Sequence, residues 1–304
     1  MSAKGVIRPD VVRINTADGL TLPGLLYKVP RSKEAVIHLH GNGSSSVFYY
    51  DDRQDALVKA FHQKGISLLL FNNRGAHYIK KLNVAKKGRT ERKRFGMAYE
   101  KIKDCILDID GAISFLRKQG FRTFHLAGES TGANKICVYH YYKPRNPVSR
   151  YILLGGGDDT GIYYNALGKI KFWKLLEAAR QKIRERKGGD IIKELLPDMI
   201  FSHQGYYDIA NPDGDYNVFP FLEVMKSLKL SKKKLFRHFD SITKPTLVMY
   251  GEKDEYAWGD APRAVNILKE RKPEFDYEII LGADHSFTNH QSELARRIAR
   301  WLAS

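Results

Sequence analysis

The chain has 304 residues, with 51 Lys and Arg against 34 Asp and Glu, which gives a formal net charge of +17. At 43% hydrophobic residues it can bury a sizeable core, which excludes a disordered or fibrous protein. No stretch approaches the roughly 18 consecutive apolar residues of a membrane helix, and residues 1–10 lack the apolar run of a secretory signal. We therefore expect a cytoplasmic protein without a membrane span.

Short apolar runs alternate with longer segments of helical period, which favours a mostly parallel sheet covered by helices. The chain begins with a predicted β-hairpin, whose strands at 11–15 and 20–29 flank an Asp18-Gly19 turn. The clearest helix is predicted over 102–116, where isoleucines recur on one face. Further strands are predicted at 35–40, 66–72, 123–127, 151–154, 246–250 and 277–281.

The segment 158–244 interrupts this alternation, because it contains no comparable strand pattern but does contain helical periods within 170–183 and 221–230. We interpret it as a helical cap inserted into a core domain formed by residues 1–157 and 245–304. Six aromatic side chains of the cap are candidates to line a substrate cleft, although packing within the cap would equally explain most of them: Tyr163, Tyr164, Tyr206, Tyr207, Phe219 and Phe221.

The strongest chemical signal is Gly128-Glu129-Ser130-Thr131-Gly132, which lies between a predicted strand and a helical run. A serine on such a sharp strand-to-helix turn is strained, and glycines two residues to either side avoid collisions there. This setting is that of a nucleophile elbow, and it predicts Ser130 as a nucleophile.

A serine nucleophile needs a base, and the base needs an orienting carboxylate. Asp254 follows the strand predicted at 246–250, and His285 follows the strand predicted at 277–281. The order Ser, Asp, His favours Asp254 as the acid and His285 as the base. Asp158 and Asp159, which follow an earlier strand, are the alternative acids.

An oxyanion hole would complete the machinery. The strand predicted at 35–40 runs into Gly41-Asn42-Gly43, a glycine-flanked turn where a backbone N–H can point into the site. We predict the N–H groups of Asn42 and Thr131 as the two donors.

The motifs HGNGSS, FNNRG, GESTG, GEKD and GADHSF resemble those of the α/β-hydrolase superfamily over the whole chain except the cap. Within it, the sequence is similar to esterases and serine-aminopeptidase-like hydrolases, and weakly similar to a group that includes fungal siderophore esterases. The resemblance implies an α/β-hydrolase fold with the cap after the sixth strand, Ser130 as nucleophile, His285 as base and Asp254 as acid. Many relatives have His where this chain has Glu129, a position outside the triad.

We therefore expect a serine hydrolase that cleaves carboxylic esters through an acyl-enzyme, with amides and thioesters as alternatives. No cofactor is expected. A metal site is not expected either, because His38 and His40 have no acidic or Cys partner at ligand spacing. A non-catalytic binding protein of the same fold, whose basic loop recruits an anionic partner, is the second hypothesis, although it would have no use for a complete triad. Cys105 and Cys137 are predicted to be buried small hydrophobes.

Much of the positive charge lies in residues 80–103, here called the basic segment, whose ten Lys and Arg face only Glu91 and Glu100. A solvated surface loop is the simplest interpretation, and a funnel for anionic substrates is the next. No motif for specific nucleic-acid recognition accompanies it. The expected partner is a small-molecule ester, anionic or aromatic; the oligomeric state does not follow from the sequence.

Overall fold

An eight-stranded sheet forms the centre of the molecule. In the computed structural model, which describes residues 7–47, 51–86 and 88–304, the strand order in this sheet is β1-β2-β4-β3-β7-β8-β9-β10. A separate two-stranded sheet pairs β5 with β6. The strands are β1 (Asp10–Asn15), β2 (Thr21–Tyr27), β3 (Glu34–Leu39), β4 (Ser67–Phe71), β5 (Lys80–Lys86), β6 (Arg89–Phe95), β7 (Thr123–Glu129), β8 (Val148–Leu154), β9 (Thr246–Gly251) and β10 (Asp276–Ile280).

Five neighbouring pairs of the large sheet are parallel, from β4·β3 through to β9·β10, while β1·β2 and β2·β4 are antiparallel. The mostly parallel sheet and the N-terminal hairpin are thus as predicted. The helices are α1 (Asp51–Gln63), α2 (Cys105–Lys118), α3 (Thr131–Tyr142), α4 (Asp159–Arg184), α5 (His203–Ala210), α6 (Phe221–Met225), α7 (Arg237–Asp240), α8 (Ala261–Arg271) and α9 (Gln291–Leu302).

The sheet is covered on both faces, as the continuous apolar strands require. Val36 and Ile37 are adjacent in β3 and fully buried, but they belong to different apolar clusters, because successive strand side chains point to opposite faces. Ile37 shares its cluster with residues of α2 and α3, and Val36 shares its cluster with residues of α1 and α9. Cys105 and Cys137 are buried free thiols, which confirms their prediction.

Helices α4 to α7 occupy the stretch between β8 and β9, and β8 is the sixth strand of the large sheet in chain order. This stretch is described throughout and contains no strand, only an isolated bridge between Ile191 and Ser202. The helix predicted over 221–230 is shorter than expected and ends at Met225. Phe219 and Phe221 lie in the same apolar cluster as the strands, so the helical segment shares its core with the sheet.

Much of the basic segment is strand and not loop. Residues 80–86 and 89–95 pair as the β5–β6 hairpin, which the high charge concealed although Leu82 and Val84 alternate with polar residues. Val84 is buried and bridges to Leu20, so this hairpin is anchored on the N-terminal one. Lys87 lies outside the described residues. Glu100 does not balance the surface lysines either, because it is buried and pairs with Lys135 at 2.7 Å.

In the described part of the chain, no helix is both long enough and apolar enough to cross a membrane.

Candidate active site

Ser130 lies on the turn between β7 and α3 with φ 54° and ψ −127°, a backbone conformation that is strained for a residue with a side chain. The two glycines of the motif make the turn possible. A Cβ on Gly128 would lie 2.3 Å from the carbonyl oxygen of Gly132, and a Cβ on Gly132 would lie 2.2 Å from that of Leu39. The predicted crowding of strand against helix is therefore present on both sides of Ser130.

Asp254 and His285 meet beyond the carboxyl ends of β9 and β10. Nδ1 of His285 lies 2.9 Å and 3.0 Å from the two carboxylate oxygens of Asp254, and both residues are buried. Burial lowers the pKa of His285, but the hydrogen bond and charge of Asp254, with the charges of Glu129 and Glu255, outweigh it and raise this pKa above the ordinary 6.5. A carboxylate held in this way fixes the imidazole ring and stabilises its protonated form.

A cavity of about 400 Å³ brings the predicted site residues together. Ser130 and His285 both line it, and so do Asn42 and Thr131. The remaining lining residues come from the turn after β3, the base of the β5–β6 hairpin, the helical segment and the loops after β8, β9 and β10: Gly41, Ser44, Tyr78, Met97, Glu129, Gly157, Asp159, Ile162, Tyr163, Asp198, Met199, Ile200, Phe201, Glu255, Tyr256 and Ser286.

The backbone around Asn42 and Thr131 is close to the serine. Thr131 is the first residue of α3, where N–H groups have no carbonyl partner within the helix. The turn that carries Asn42 is also close, since a Cβ on Gly41 would lie 3.0 Å from Cβ of Ser130. Two chain segments thus bring backbone next to the serine.

The two alternative acids have other partners. Asp158 caps α4 by accepting from the Gly161 N–H at 2.8 Å, and it also accepts from the Leu222 N–H at 2.6 Å. Asp159 accepts from Oγ1 of Thr131 at 3.0 Å. Burial raises the pKa of Asp158 to about 6 and that of Asp159 to about 7. Asp254 is the carboxylate that contacts His285.

Glu129, where many relatives have His, has a partner that the sequence analysis missed. Its carboxylate lies 2.6 Å from Nη1 of Arg53 in α1, and both side chains are largely buried. His38 lies on the other side, with Nε2 3.8 Å from Glu129. Burial lowers the pKa of His38 to about 4, although the charge of Glu129 opposes that shift, so His38 is neutral near pH 7. No local pattern in α1 indicates this pairing, which depends on how the helix packs.

The helical segment supplies fewer cavity residues than predicted. Of the six aromatic candidates, Tyr163 lines the cavity, whereas Tyr206, Phe219 and Phe221 are fully buried in the core. Tyr164 and Tyr207 are partly buried against that core. Core packing is therefore the right interpretation for five of the six. The segment instead contributes residues 198–201, where Met199 and Phe201 provided no sequence signal beyond being apolar.

His38 and His40 have partners other than a metal. Nδ1 of His38 lies 3.1 Å from the Ser46 hydroxyl, and Nδ1 of His40 lies 2.8 Å from the carbonyl oxygen of Gly41. Across residues 7–47, 51–86 and 88–304, no three His, Cys, Asp or Glu side chains are grouped as metal ligands.

A family model described as serine aminopeptidase, S33, matches residues 30–291, which is most of the chain and includes all of these site residues. The chain belongs to this family. It therefore has the α/β-hydrolase fold that its motifs resemble, and the S33 family assignment places it among the hydrolases. Among curated proteins, none matches the sequence significantly.

Solved structures of the same fold include several esterases. Est1E from Butyrivibrio proteoclasticus, solved with ferulic acid bound, is 15% identical with a TM-score of 0.60, covering 96% of this chain and 97% of its own. The Pyrococcus furiosus esterase Pf2001 is 17% identical with a TM-score of 0.57, covering 97% of this chain and 90% of its own. The carboxylesterase CesB from Bacillus subtilis is 18% identical with a TM-score of 0.56, covering 98% and 92%. At these identities the likeness concerns the fold.

Proposed function

We propose that this S33-family chain is a serine hydrolase that cleaves carboxylic esters through an acyl-enzyme. The observation that carries the proposal is that Ser130, on its strained turn, lines the same cavity as His285, whose ring is held by Asp254 at 2.9 Å. A nucleophile, a base and an orienting acid are the three groups that acyl transfer requires.

In the first half of the reaction, Oγ of Ser130 attacks the ester carbonyl carbon while Nε2 of His285 takes the hydroxyl proton. The carbonyl oxygen becomes an oxyanion, and the N–H groups of Asn42 and Thr131 donate hydrogen bonds to it. When the carbon–oxygen bond to the alcohol breaks, His285 gives its proton to the departing oxygen. The acyl group then remains on Ser130.

In the second half, His285 takes a proton from a water molecule, which attacks the acyl carbonyl and passes through a second oxyanion in the same hole. The bond to Oγ breaks, Ser130 regains its proton from His285, and the carboxylic acid leaves. Asp254 accepts the Nδ1–H of His285 throughout and stabilises the imidazolium that forms in each half.

Esters are the proposed substrates because the neighbouring structures are named as esterases and carboxylesterases. The same groups would serve an amide or a thioester. The cavity of about 400 Å³ has room for a small molecule, and its walls combine polar and acidic side chains with aromatic and aliphatic ones.

Labelling with a fluorophosphonate probe tests the proposal directly, because the probe reacts with an activated serine. The adduct should be found on the peptide that contains Ser130, and the same protein should hydrolyse p-nitrophenyl acetate. Ser44 and Ser286 line the same cavity, so an adduct on either would place the nucleophile elsewhere. A folded chain that neither reacts nor hydrolyses the ester would favour the non-catalytic binding protein.

A further inference from the structure

The cavity has a charge opposite to that of the whole chain. The protein carries a net charge of +17, yet four acidic residues line the cavity: Glu129, Asp159, Asp198 and Glu255. Among the described residues that line it, none is Lys or Arg. Arg53 balances Glu129 from outside the cavity, whereas no Lys or Arg in the described ranges forms an ion pair with the other three. The interior of the cavity therefore carries negative charge that a ligand can neutralise.

The same cavity is rich in aromatic rings. Tyr78, Tyr163, Phe201 and Tyr256 line it, and the rings of Tyr163 and Phe201 pack edge to face at 5.2 Å. Aromatic faces attract a cation, most strongly when water is excluded, and rings combined with carboxylates are the usual surroundings of an ammonium group. An anionic substrate would meet no Lys or Arg among the described residues that line the cavity, and no favourable ring face.

Asp159 is the acidic residue best placed to hold such a group. Its side chain is buried, in contrast to the exposed Asp198 and Glu255. Oδ1 of Asp159 and Oγ of Ser130 both lie within 4 Å of the position that a Cβ on Gly157 would occupy, at 3.8 Å and 3.9 Å. The position beside Gly157 is therefore within van der Waals distance of both the carboxylate and the serine, and all three residues line the cavity.

We propose that the cavity selects esters that carry a positively charged ammonium group, with Asp159 as the residue that determines this specificity. The proposal rests on the function proposed above and names its substrate class. The carboxylate is held in position from one side, because Oγ1 of Thr131 donates to it at 3.0 Å and Nδ2 of Asn134 donates to it at 3.0 Å. Because Asp159 lines the same cavity as Ser130, an ester bound at the serine can reach this carboxylate.

The selectivity should depend on pH, because burial raises the pKa of Asp159 to about 7. The carboxyl group is therefore charged above about pH 7 and neutral below it, so the preference for a cation should grow as the pH rises. The other charged or titratable groups that act on Asp159 are Asp158 on its own segment, Lys135 on α3, Glu100 before α2, and the phenols Tyr163 and Tyr216. Only Lys135 among them is positive, and it is paired with Glu100.

Pairs of esters with the same shape and different charge provide the test. In the first pair the charge is in the acyl part: the cationic p-nitrophenyl ester of 4-(trimethylammonio)butanoate is compared with the neutral p-nitrophenyl ester of 5,5-dimethylhexanoate. The mono-p-nitrophenyl ester of glutarate is the anionic substrate of similar shape. With the charge in the alcohol part, acetylcholine is compared with 3,3-dimethylbutyl acetate. The quantity measured is the ratio of kcat/KM for the cationic ester to kcat/KM for its neutral partner, at pH 6 and at pH 8.

In at least one pair, the kcat/KM of the cationic ester should exceed that of its neutral partner by about tenfold or more at pH 8, as expected for a partly buried cation between a carboxylate and aromatic rings. This ratio should fall at pH 6. Because both esters use the same base, titration of His285 cancels in the ratio. Asp159→Asn should bring the ratio at pH 8 close to one, whereas Glu177→Gln, which removes an exposed carboxylate outside the cavity, should preserve it.

A ratio near or below one in both pairs at pH 8, or faster cleavage of the glutarate monoester, would overturn the proposal. So would an unchanged ratio in folded Asp159→Asn. If that variant does not fold, the pH dependence of the wild-type ratio decides, together with inhibition of neutral-ester hydrolysis by choline against 3,3-dimethylbutanol. A wild type that cleaves no ester and leaves Ser130 unlabelled would instead refute the proposed function.

Discussion

The carboxylate of Glu129, one residue before Ser130, lies 2.6 Å from Nη1 of Arg53, and their side chains are only 12% and 7% exposed. A negative charge so close to the proposed nucleophile would repel a developing oxyanion if it were not balanced. Arg53 provides that balance from α1. The charge next to the nucleophile is therefore part of a buried ion pair.

Replacing Arg53 with Met should destabilise the protein strongly, because it leaves the Glu129 carboxylate buried without its cation. Breaking a buried pair in this way costs on the order of 3–5 kcal/mol. The measurement is the free energy of unfolding in urea. Lys59→Met is the matched control on the same helix, since its pair with Asp55 is exposed and should contribute less than about 1 kcal/mol. A similar small loss in both variants would show that Arg53 is not needed to balance Glu129.

Gly155 should be sensitive to substitution, although no motif marks it. Its φ is 54°, and a Cβ there would lie 3.0 Å from Oδ2 of Asp254 and 3.1 Å from Nδ1 of His285. Gly155→Ala should therefore displace the acid–base pair and lower kcat for p-nitrophenyl acetate by at least about tenfold, since catalytic geometry tolerates little displacement. Gly65→Ala is the control, because Gly65 has φ 75° and nothing within 4 Å.

In Gly65→Ala the alanine has a strained positive φ, but its side chain contacts no residue of the site. The stability of this variant should therefore fall by about 1 kcal/mol while its kcat stays close to wild type. Equal kcat values in Gly155→Ala and Gly65→Ala would contradict the expected contact. Urea unfolding of both variants separates a loss of fold from a loss of geometry.

Asp254→Asn should lower kcat by about 10⁴-fold, because an amide favours the wrong His285 tautomer and does not stabilise the imidazolium. Asp158→Asn is the comparison, since Asp158 caps α4 and accepts from backbone N–H groups. Its loss should cost about 1 kcal/mol of stability and change kcat only a few-fold. Ester hydrolysis under saturating substrate checks both. If Asp158→Asn lost most of its kcat while Asp254→Asn kept a nearly normal kcat, the acid of the triad would be Asp158, which follows the earlier strand.

The pH dependence of kcat/KM for a neutral ester should report His285, which must be unprotonated to act as base. Because the pKa of His285 is raised above 6.5, activity should be low below that pH and rise through a midpoint above it. The charge of Glu255 contributes to the raised pKa of His285, and its carboxylate accepts a hydrogen bond from the backbone N–H of His285 at 3.2 Å. Glu255→Gln should therefore move the midpoint toward lower pH.

The shift should be about 0.5 pH unit or less, since Glu255 is exposed, and should shrink in 1 M salt. Glu252→Gln serves as the control, because Glu252 is also exposed but binds the Gly282 N–H. If the midpoint of the pH profile were the same in wild type and in Glu255→Gln, Asp254 and Glu129 would raise the pKa of His285 without a contribution from Glu255.

The proposed nucleophile, base and acid could be predicted from the sequence because each is encoded locally. Ser130 has its glycines within two residues, and Asp254 and His285 each follow an apolar strand pattern directly. Parallel strands place their carboxyl ends at one edge, so knowing the strands is enough to expect these residues near one another. The choice of Asp254 over Asp158 was favoured by chain order, and the hydrogen bond to His285 agrees with it.

The β5–β6 hairpin and the aromatic candidates show where local pattern misleads. Nine of the residues from 80 to 95 carry charge, and this outweighed the short alternation at Leu82 and Val84. For Phe219 and Phe221, an aromatic side chain indicates burial but not which surface it is buried against. Both belong to the apolar core that the strands share, and neither lines the cavity.

The sequence by itself determined the mostly parallel sheet, the helical segment after its sixth strand and the three residues of the proposed triad, because strand periodicity and turn chemistry act over only a few neighbouring residues. The tertiary structure decided what surrounds them. Arg53 reaches Glu129 across 76 positions of sequence, and Asp159 lines the same cavity as Ser130, with Gly157 close to both. Such contacts depend on how distant elements pack, so the cavity's negative charge in a chain of net charge +17 is a property of the fold.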